Sequence, residues 1–181
     1  MVSENIVLRK STFDDCLIFT KWEQQKYIKE FLTINAKRTY EEIVREFVLR
    51  EQDPSNEQYT IFLKNGNVPI GRVHLSKISK ETDSMDITRI YIGEKEYLGR
   101  GYGKEAMIML LQYCFNDLNM ERVTLDYYTG NDAAKLYIDL GFKYEGLMRN
   151  SAKRNNKYFD LHLMSMLRDE YKKIFDIPYE K

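Results

Sequence analysis

Three glycines at alternate positions, Gly99, Gly101 and Gly103, stand between a run of β-branched and aromatic residues (Ile87, Ile90, Tyr91, Ile92) and a long apolar stretch beginning at Ala106. This order predicts a strand, a loop and a helix. Glycine at alternate positions removes the Cβ atoms that would hold a ligand off the main chain, so successive N–H groups can converge on an anion. The helix that follows brings the positive end of its dipole to the same place. Such a loop suits phosphate, although a glycine-rich turn without a ligand has the same sequence and the loop alone leaves both readings open. Two phosphate motifs are excluded. A P-loop needs glycine five residues before Gly103 and a hydroxyl residue after Lys104, where Leu98 and Glu105 stand. A dinucleotide fingerprint needs glycine three residues beyond Gly101, where Lys104 stands, and this strand comes too late in the chain to open a doubly wound fold.

The rest of the chain is patterned around this segment. Asn5 to Lys10 reads as a first strand, and Thr12 with Asp15 three residues on resembles a capping box opening a helix through Cys16, Leu17, Phe19 and Trp22. Tyr27 to Ala36 is less regular, and Thr39 with Glu42 opens a second helix that runs to about Gln52. Tyr59 to Leu63 and Val68 to Ser76 are strand-like runs joined at Asn65-Gly66, a strong hairpin signal. Gly103 to Asn116 is apolar nearly all round and must be buried on more than one side. Val123 to Tyr127 is the next strand, Asn131 caps a helix that Gly141 ends, and Phe142 to Met148 and Tyr158 to Met166 are the last strands about an Asn155-Asn156 turn. From Arg168 a short amphipathic helix is expected to fray, its charges forming a solvated face. No repeat or linker appears, so one domain over residues 1–181 is expected.

Charge narrows the function classes. With 28 Lys and Arg against 28 Asp and Glu, the chain has no overall electrostatic attraction for nucleic acid or an anionic membrane. The N-terminus, MVSENIVLRK, has neither a basic n-region nor a long apolar run, and no stretch approaches the ~18 apolar residues of a membrane span, so a cytoplasmic location is expected. Cys16 and Cys114 sit among apolar residues without CxxC spacing and read as buried free thiols, and His74 and His162 lack ligand spacing. No metal is implied.

The glycine segment, Leu98-Gly99-Arg100-Gly101-Tyr102-Gly103, resembles the acyl-CoA pyrophosphate loop of the GNAT superfamily of N-acetyltransferases, whose pattern is Gln/Arg-x-x-Gly-x-Gly/Ala, with Leu98 departing at the Gln/Arg position. A second stretch, Thr129 to Phe142, resembles the family's other signature at Asn131, Ala133, Leu136, Tyr137, Gly141 and Phe142, although Asn131 lies one residue closer to Tyr137 than usual. The two motifs stand in the family's order, separated by one strand. The resemblance implies an α/β (α+β) chain with the GNAT fold, a mixed, mostly antiparallel sheet of about seven strands flanked by helices and splayed where acyl-CoA enters. Glu145-Gly146 through Met164 resembles, more loosely, the branch containing ribosomal-protein N-terminal and spermidine acetyltransferases.

The resemblance also implies roles. Backbone N–H groups of Leu98, Gly99, Arg100, Gly101, Tyr102 and Gly103 would hold the pyrophosphate of acetyl-CoA, with Arg100 and Lys104 as side-chain additions or merely solvated cations. Main chain around Ile90 and Ile92 would pair with the pantetheine, Asn131 would hydrogen-bond it, and Tyr137 would protonate the departing thiolate. The general base falls on no clear residue; Asp86 is the candidate beside Ile87, which occupies the family's fourth-strand position. For the acceptor, Trp22, Glu23, Tyr27 and Glu30 mix flat apolar surface with carboxylates, and Phe31, Tyr40 and Glu41 lie in the same region. The expected partner is a small primary amine such as a polyamine or amino sugar, with neither nucleic acid nor membrane and with a homodimer left open. A protein N-terminus is the alternative acceptor. An inert acyl-CoA-binding domain and a nucleotide-binding protein without acyl chemistry are the other classes.

Overall fold

The computed structural model describes residues 1–30, 32, 38–154 and 156–175. Its strands are β1 (Ile6–Lys10), β2 (Glu57–Leu63), β3 (Pro69–Ser79), β4 (Ser84–Ile92), β5 (Arg122–Tyr128), β6 (Lys143–Arg154) and β7 (Lys157–Leu167). Its helices are α1 (Asp15–Glu23), α2 (Lys26–Lys29), α3 (Tyr40–Glu51), α4 (Tyr102–Gln112), α5 (Ala133–Asp139) and α6 (Arg168–Phe175). One sheet takes the order β1-β2-β3-β4-β5-β7-β6. All neighbours are antiparallel except β4 and β5, which pair in parallel only from Ser84–Arg122 to Asp86–Thr124. Beyond that point the two strands part.

Local sequence explains most of the elements. Thr39 and Glu42 form a complete capping box at the start of α3. At α1 the box is half closed: Asp15 accepts from the Thr12 N–H at 2.9 Å, but no side chain caps the helix in return. Asn131 caps α5 by accepting from the Ala133 N–H at 2.9 Å. Gly141, at φ +98°, ends that helix with Gly141 N–H on the Ile138 carbonyl and Phe142 N–H on that of Tyr137, a Schellman motif.

The β2–β3 loop spans the expected residues 64–67, closing with Leu63 N–H on the Val68 carbonyl across left-handed Gly66 and Asn67. Two other segments differ from the sequence expectation. The central helix changes at Tyr113 into a π-helical turn, Tyr113–Asp117, which lets Cys114 and Phe115 face the core. The C-terminal segment is part of the core. Tyr171 of α6 is buried and stacks on Phe115 with ring centroids 4.7 Å apart, and the Arg168 guanidinium donates to the carbonyls of Phe115 and Met120. Asn155 and the segment beyond Phe175 lie outside the described residues.

The sheet's two faces have different interiors. On one, Met85, Ile87, Ile92, Val123 and Leu125 pack with Met107, Leu110 and Leu111 of α4 and with Cys114 of the π-helical turn. On the other, α1 and α3 bring Phe19, Trp22, Ile43 and Phe47 together over a layer of buried polar residues, Gln58, Thr60, Arg72, His74, Asp86 and Arg89. A β-bulge in β4 links the two halves of this layer: His74 pairs with Arg89 and Leu75 with Ile87, so Thr88 is extra and Asp86 and Arg89 share the α1 face. Glu23 of α1 holds the layer. Its carboxylate accepts from Arg72 at 2.7 Å, Arg89 at 3.0 Å, Arg38 at 3.1 Å and the Tyr91 hydroxyl at 3.2 Å. Arg72 is fully buried, lies over the Phe19 ring and donates a second bond to Gln58.

Removing one member of such a group leaves the others charged and desolvated. Glu23→Ala is therefore expected to cost about 3–5 kcal/mol, read as a fall in the denaturant midpoint, whereas Glu30→Ala on the exposed α2 surface should cost under ~1 kcal/mol. Equal midpoints for the two variants would remove Glu23 from its structural role.

Candidate active site

Where β4 and β5 part, a cavity of about 250 Å³ opens between them. Ile87 to Ile92 of β4 form one wall, Asp126, Tyr127 and Tyr128 of β5 the opposite one, Asn131, Ala133 and Tyr137 close one side, and Tyr27, Ile28 and Leu32 the other. Leu98, the first residue of the glycine segment, stands at its rim. Because β5 no longer pairs with β4 beyond Asp86, the β4 edge from Ile87 onward has no neighbouring strand on that side. Unpaired strand amides and carbonyls are a template for an extended chain that carries amides of its own.

The glycine segment leads from a 3-10 turn, Lys95–Tyr97, into α4. Gly99 and Gly101 have φ of +71° and +88°, in the left-handed region, and a Cβ built on Gly99, Gly101 or Gly103 would meet no atom within 4 Å. The glycines therefore keep a space clear in front of the main chain rather than serving a close internal contact. No side chain caps the N-terminus of α4, whose first N–H groups have no intrahelical acceptor. Arg100 and Lys104 are exposed, with Arg100 above the Tyr97 ring, and Tyr102 packs edge-on against the same ring. Space, uncapped amides and flanking cations suit the pyrophosphate of a coenzyme.

Tyr137 projects from α5 into the core beside α4, with its ring 6.1 Å from that of Tyr127 and 6.2 Å from that of Phe142. It is buried yet lines the cavity, and no hydrogen bond to its hydroxyl is present among the described residues. Burial, reinforced by the negative charge of Asp126, pushes the phenol pKa up to about 12. At neutral pH it holds a proton that it can donate. Asn131 lines the cavity too, with Oδ1 engaged in capping α5 and its amide Nδ2 left for a ligand.

The remaining expected residues divide. Tyr27 lines the cavity, anchored by its hydroxyl on the Gly93 carbonyl at 2.5 Å. Trp22 does not: it is fully buried, its indole N–H on Glu94 at 2.9 Å and its ring against Gly93, where a Cβ would collide with it. Glu23 is enclosed in the arginine cluster, and Glu30 is exposed on α2 opposite Lys26 at 3.7 Å. Asp86 also stays outside. Its two oxygens accept from the hydroxyls of Thr88 at 2.8 Å and Thr124 at 2.7 Å, bridging β4 and β5 at their joined end. Phe31 lies outside the described residues. Among the lining residues that sequence reasoning passed over are Arg89, Asp126 and Tyr128. A signal existed for two of these: with Val123 and Leu125 buried against α4, alternation turns Thr124, Asp126 and Tyr128 to the opposite face, just past the end of the β4 pairing. Among the described residues no group of His, Cys, Asp or Glu is arranged to hold a metal ion, and no helix is long and apolar enough to cross a membrane.

Known proteins resemble this chain in sequence and in fold. A family model described as an acetyltransferase (GNAT) domain matches residues 5–143. An uncharacterised N-acetyltransferase, p20 of Bacillus licheniformis, is 26% identical over 94% of this chain and 97% of its own length. The prophage-derived uncharacterised N-acetyltransferase YokL of Bacillus subtilis is 25% identical over 93% of each. The crystal structure of a spermidine N-acetyltransferase from Vibrio cholerae, in complex with CoA and spermine, superposes with a TM-score of 0.83 over 92% of this chain and 97% of that one, at 22% identity. With a parted pair of strands, a cleared glycine loop and a family model that spans most of its length, the chain belongs to the GNAT acetyltransferase family and is an N-acetyltransferase.

Proposed function

We propose that this enzyme moves an acetyl group from acetyl-CoA to the primary amine of a small molecule, a polyamine or amino sugar, by direct attack with both substrates bound. The observation that carries this reading is the continuous cavity, which has the glycine loop at its rim, a protonated buried phenol on one side and the α2 segment on the other. The loop amides from Gly99 to Gly103 bind the pyrophosphate, and the open edge of β4 at Ile90 and Ile92 aligns the pantetheine like an added strand, with Asn131 against its amides. A β4 N–H at the opening polarises the thioester carbonyl. Tyr137 delivers its proton to the departing thiolate.

A primary amine fits because, once neutral, it attacks a thioester without further activation, whereas a hydroxyl would need a stronger base. The Vibrio cholerae neighbour was crystallised with spermine, which makes a polyamine the first acceptor to assay. A screen of acetyl-CoA against spermidine, glucosamine, free amino acids and peptides, reading free thiol and product mass, tests the reading. Acetylation confined to peptide α-amines would replace the small-amine acceptor with a protein N-terminus.

Two variants separate binding from chemistry. Gly101, at φ +88°, is the position where the loop pattern calls for glycine alone, so Gly101→Val strains the backbone by about 1–3 kcal/mol and places a branched side chain in the space kept for the anion. Losing one charge-assisted bond of about 1.5–3 kcal/mol would weaken CoA binding at least tenfold by calorimetry. Undiminished CoA affinity would move the pyrophosphate elsewhere.

Tyr137→Phe keeps the ring contacts with Tyr127 and Phe142 and removes only the proton donor. Its kcat is expected to fall by roughly 10²–10⁴ with acetyl-CoA affinity near parental, as for loss of a general acid. A parental kcat would assign the thiolate's proton to solvent.

A further inference from the structure

The cavity has two chemically different sides. Tyr137 enters it from the α4 face of the sheet, whereas the alternation of β5 turns Asp126 to the α1 face, so the phenol and the carboxylate approach the gap between β4 and β5 from opposite sides. Asp126 differs from the other acids of that face. Glu23 is held by three arginines and Asp86 by two hydroxyls, but no hydrogen bond or ion pair engages the Asp126 carboxylate among the described residues. Two charges act on it at longer range, Asp86 on β4 and Lys77 on β3, and its own charge bears on Tyr137 of α5. Arg89, which also faces the cavity, is turned to Glu23 and Glu46, and Tyr27 to the Gly93 carbonyl.

We propose that Asp126 is the residue that receives the acceptor's ammonium group and takes its proton. This rests on the amine-acetylation reading above. An unpaired carboxylate facing a cavity wall of aromatic and aliphatic side chains attracts a cation, and one held by neither a hydroxyl nor a guanidinium is free to accept a proton. Although the side chain is accessible, the cavity walls exclude enough water to raise its carboxyl pKa, and the Asp86 carboxylate adds to the rise against the opposing charge of Lys77. Both effects make it a better proton acceptor than an ordinary aspartate.

The proton account closes. An acceptor entering as R–NH3⁺ gives one proton to Asp126, and the freed lone pair forms the C–N bond to the thioester carbon. When the C–S bond breaks, its electron pair goes to sulfur, which takes the Tyr137 proton, and the second proton leaving nitrogen returns to the phenolate. The products are the amide, the free thiol and protonated Asp126, which solvent reaches through the cavity.

The test compares the parent protein, Asp126→Asn and Asp126→Glu, with acetyl-CoA as donor and propylamine as a minimal acceptor. Because Asp126 has no partner to lose among the described residues and lies within the field of Asp86, Asp126→Asn should melt no lower than the parent. Its kcat/KM for propylamine is expected to fall by roughly 10²–10³ and to lose the acidic limb of the pH profile, while CoA affinity is unchanged. Asp126→Glu should recover part of the rate and the limb. A parental rate and profile in Asp126→Asn would overturn the proposal and leave the amine reading standing. If the parent acetylates neither propylamine nor any amine of the screen, the amine reading fails instead, and the basal release of thiol from acetyl-CoA, with water as nucleophile, decides the role of Asp126. A drop of tenfold or more in Asp126→Asn supports it as the proton acceptor, and an unchanged basal rate overturns it.

Discussion

Strands β4 and β5 are joined at one end only, and the site exists because of it. Three residue pairs hold them in parallel, with Thr124 donating to Asp86 across the junction and Thr88 to the same carboxylate from the bulge. A parallel pair has no hairpin to fix it, so this clasp, together with the antiparallel neighbours β3 and β7, sets where the two strands begin to diverge. Were the pairing to continue for four more residues, the β4 edge would be filled by β5 and the cavity closed. The bulge at Thr88 has a second effect. It reverses the alternation of β4, so that Ile90 and Ile92 join the apolar core while Arg89 and Tyr91 reach Glu23 on the other face.

The face toward α1 and α3 then needs explaining, because four arginines stand there with two glutamates. Arg72 and Arg89 come from the sheet, Arg38 precedes α3, and Arg50 lies on α3; Glu23 and Glu46 pair with all of them. Desolvating so many charges is costly, and an apolar layer of the same volume would hold the helices at least as firmly. What the cluster adds is direction. Each guanidinium fixes Glu23 from a different element, so α1 has one seating on the sheet, and α1 leads directly into α2 and Tyr27, the cavity's far wall.

Much of this was legible in the sequence because it is encoded locally. The capping box at Thr39, the cap at Asn131 and the Schellman glycine at Gly141 depend on residues within a few positions of each other, and so do the cleared glycines of the loop. Asp86, Trp22 and Glu23 were misleading because residues far away in the chain set their surroundings, whereas Glu30 is exposed and pairs with Lys26 one turn before it. Gln58, Thr60, Arg72 and His74 alternate with apolar neighbours as a solvent-facing strand would, yet α1 and α3 cover them, and only the three-dimensional arrangement shows that Glu23 is a structural counter-ion. Asp126 was hidden by the opposite circumstance. Among the described residues it has no hydrogen-bond or ion-pair partner, and the property that distinguishes it, the ending of the neighbouring pairing two residues before it, is a fact of register.

The bare start of α4 carries one more consequence. A helix whose first amides are neither capped by a side chain nor covered by neighbouring atoms is incomplete until an anion reaches it, and this helix is the one around which the larger core is packed. Whatever fills that place binds the folded chain and not the unfolded one, so folding is coupled by mass action to the supply of the filler, by about 2.7 kcal/mol when it stands at a hundred times its dissociation constant. On the proposed placement of acetyl-CoA at this loop, the folded protein gains stability as its own donor substrate accumulates.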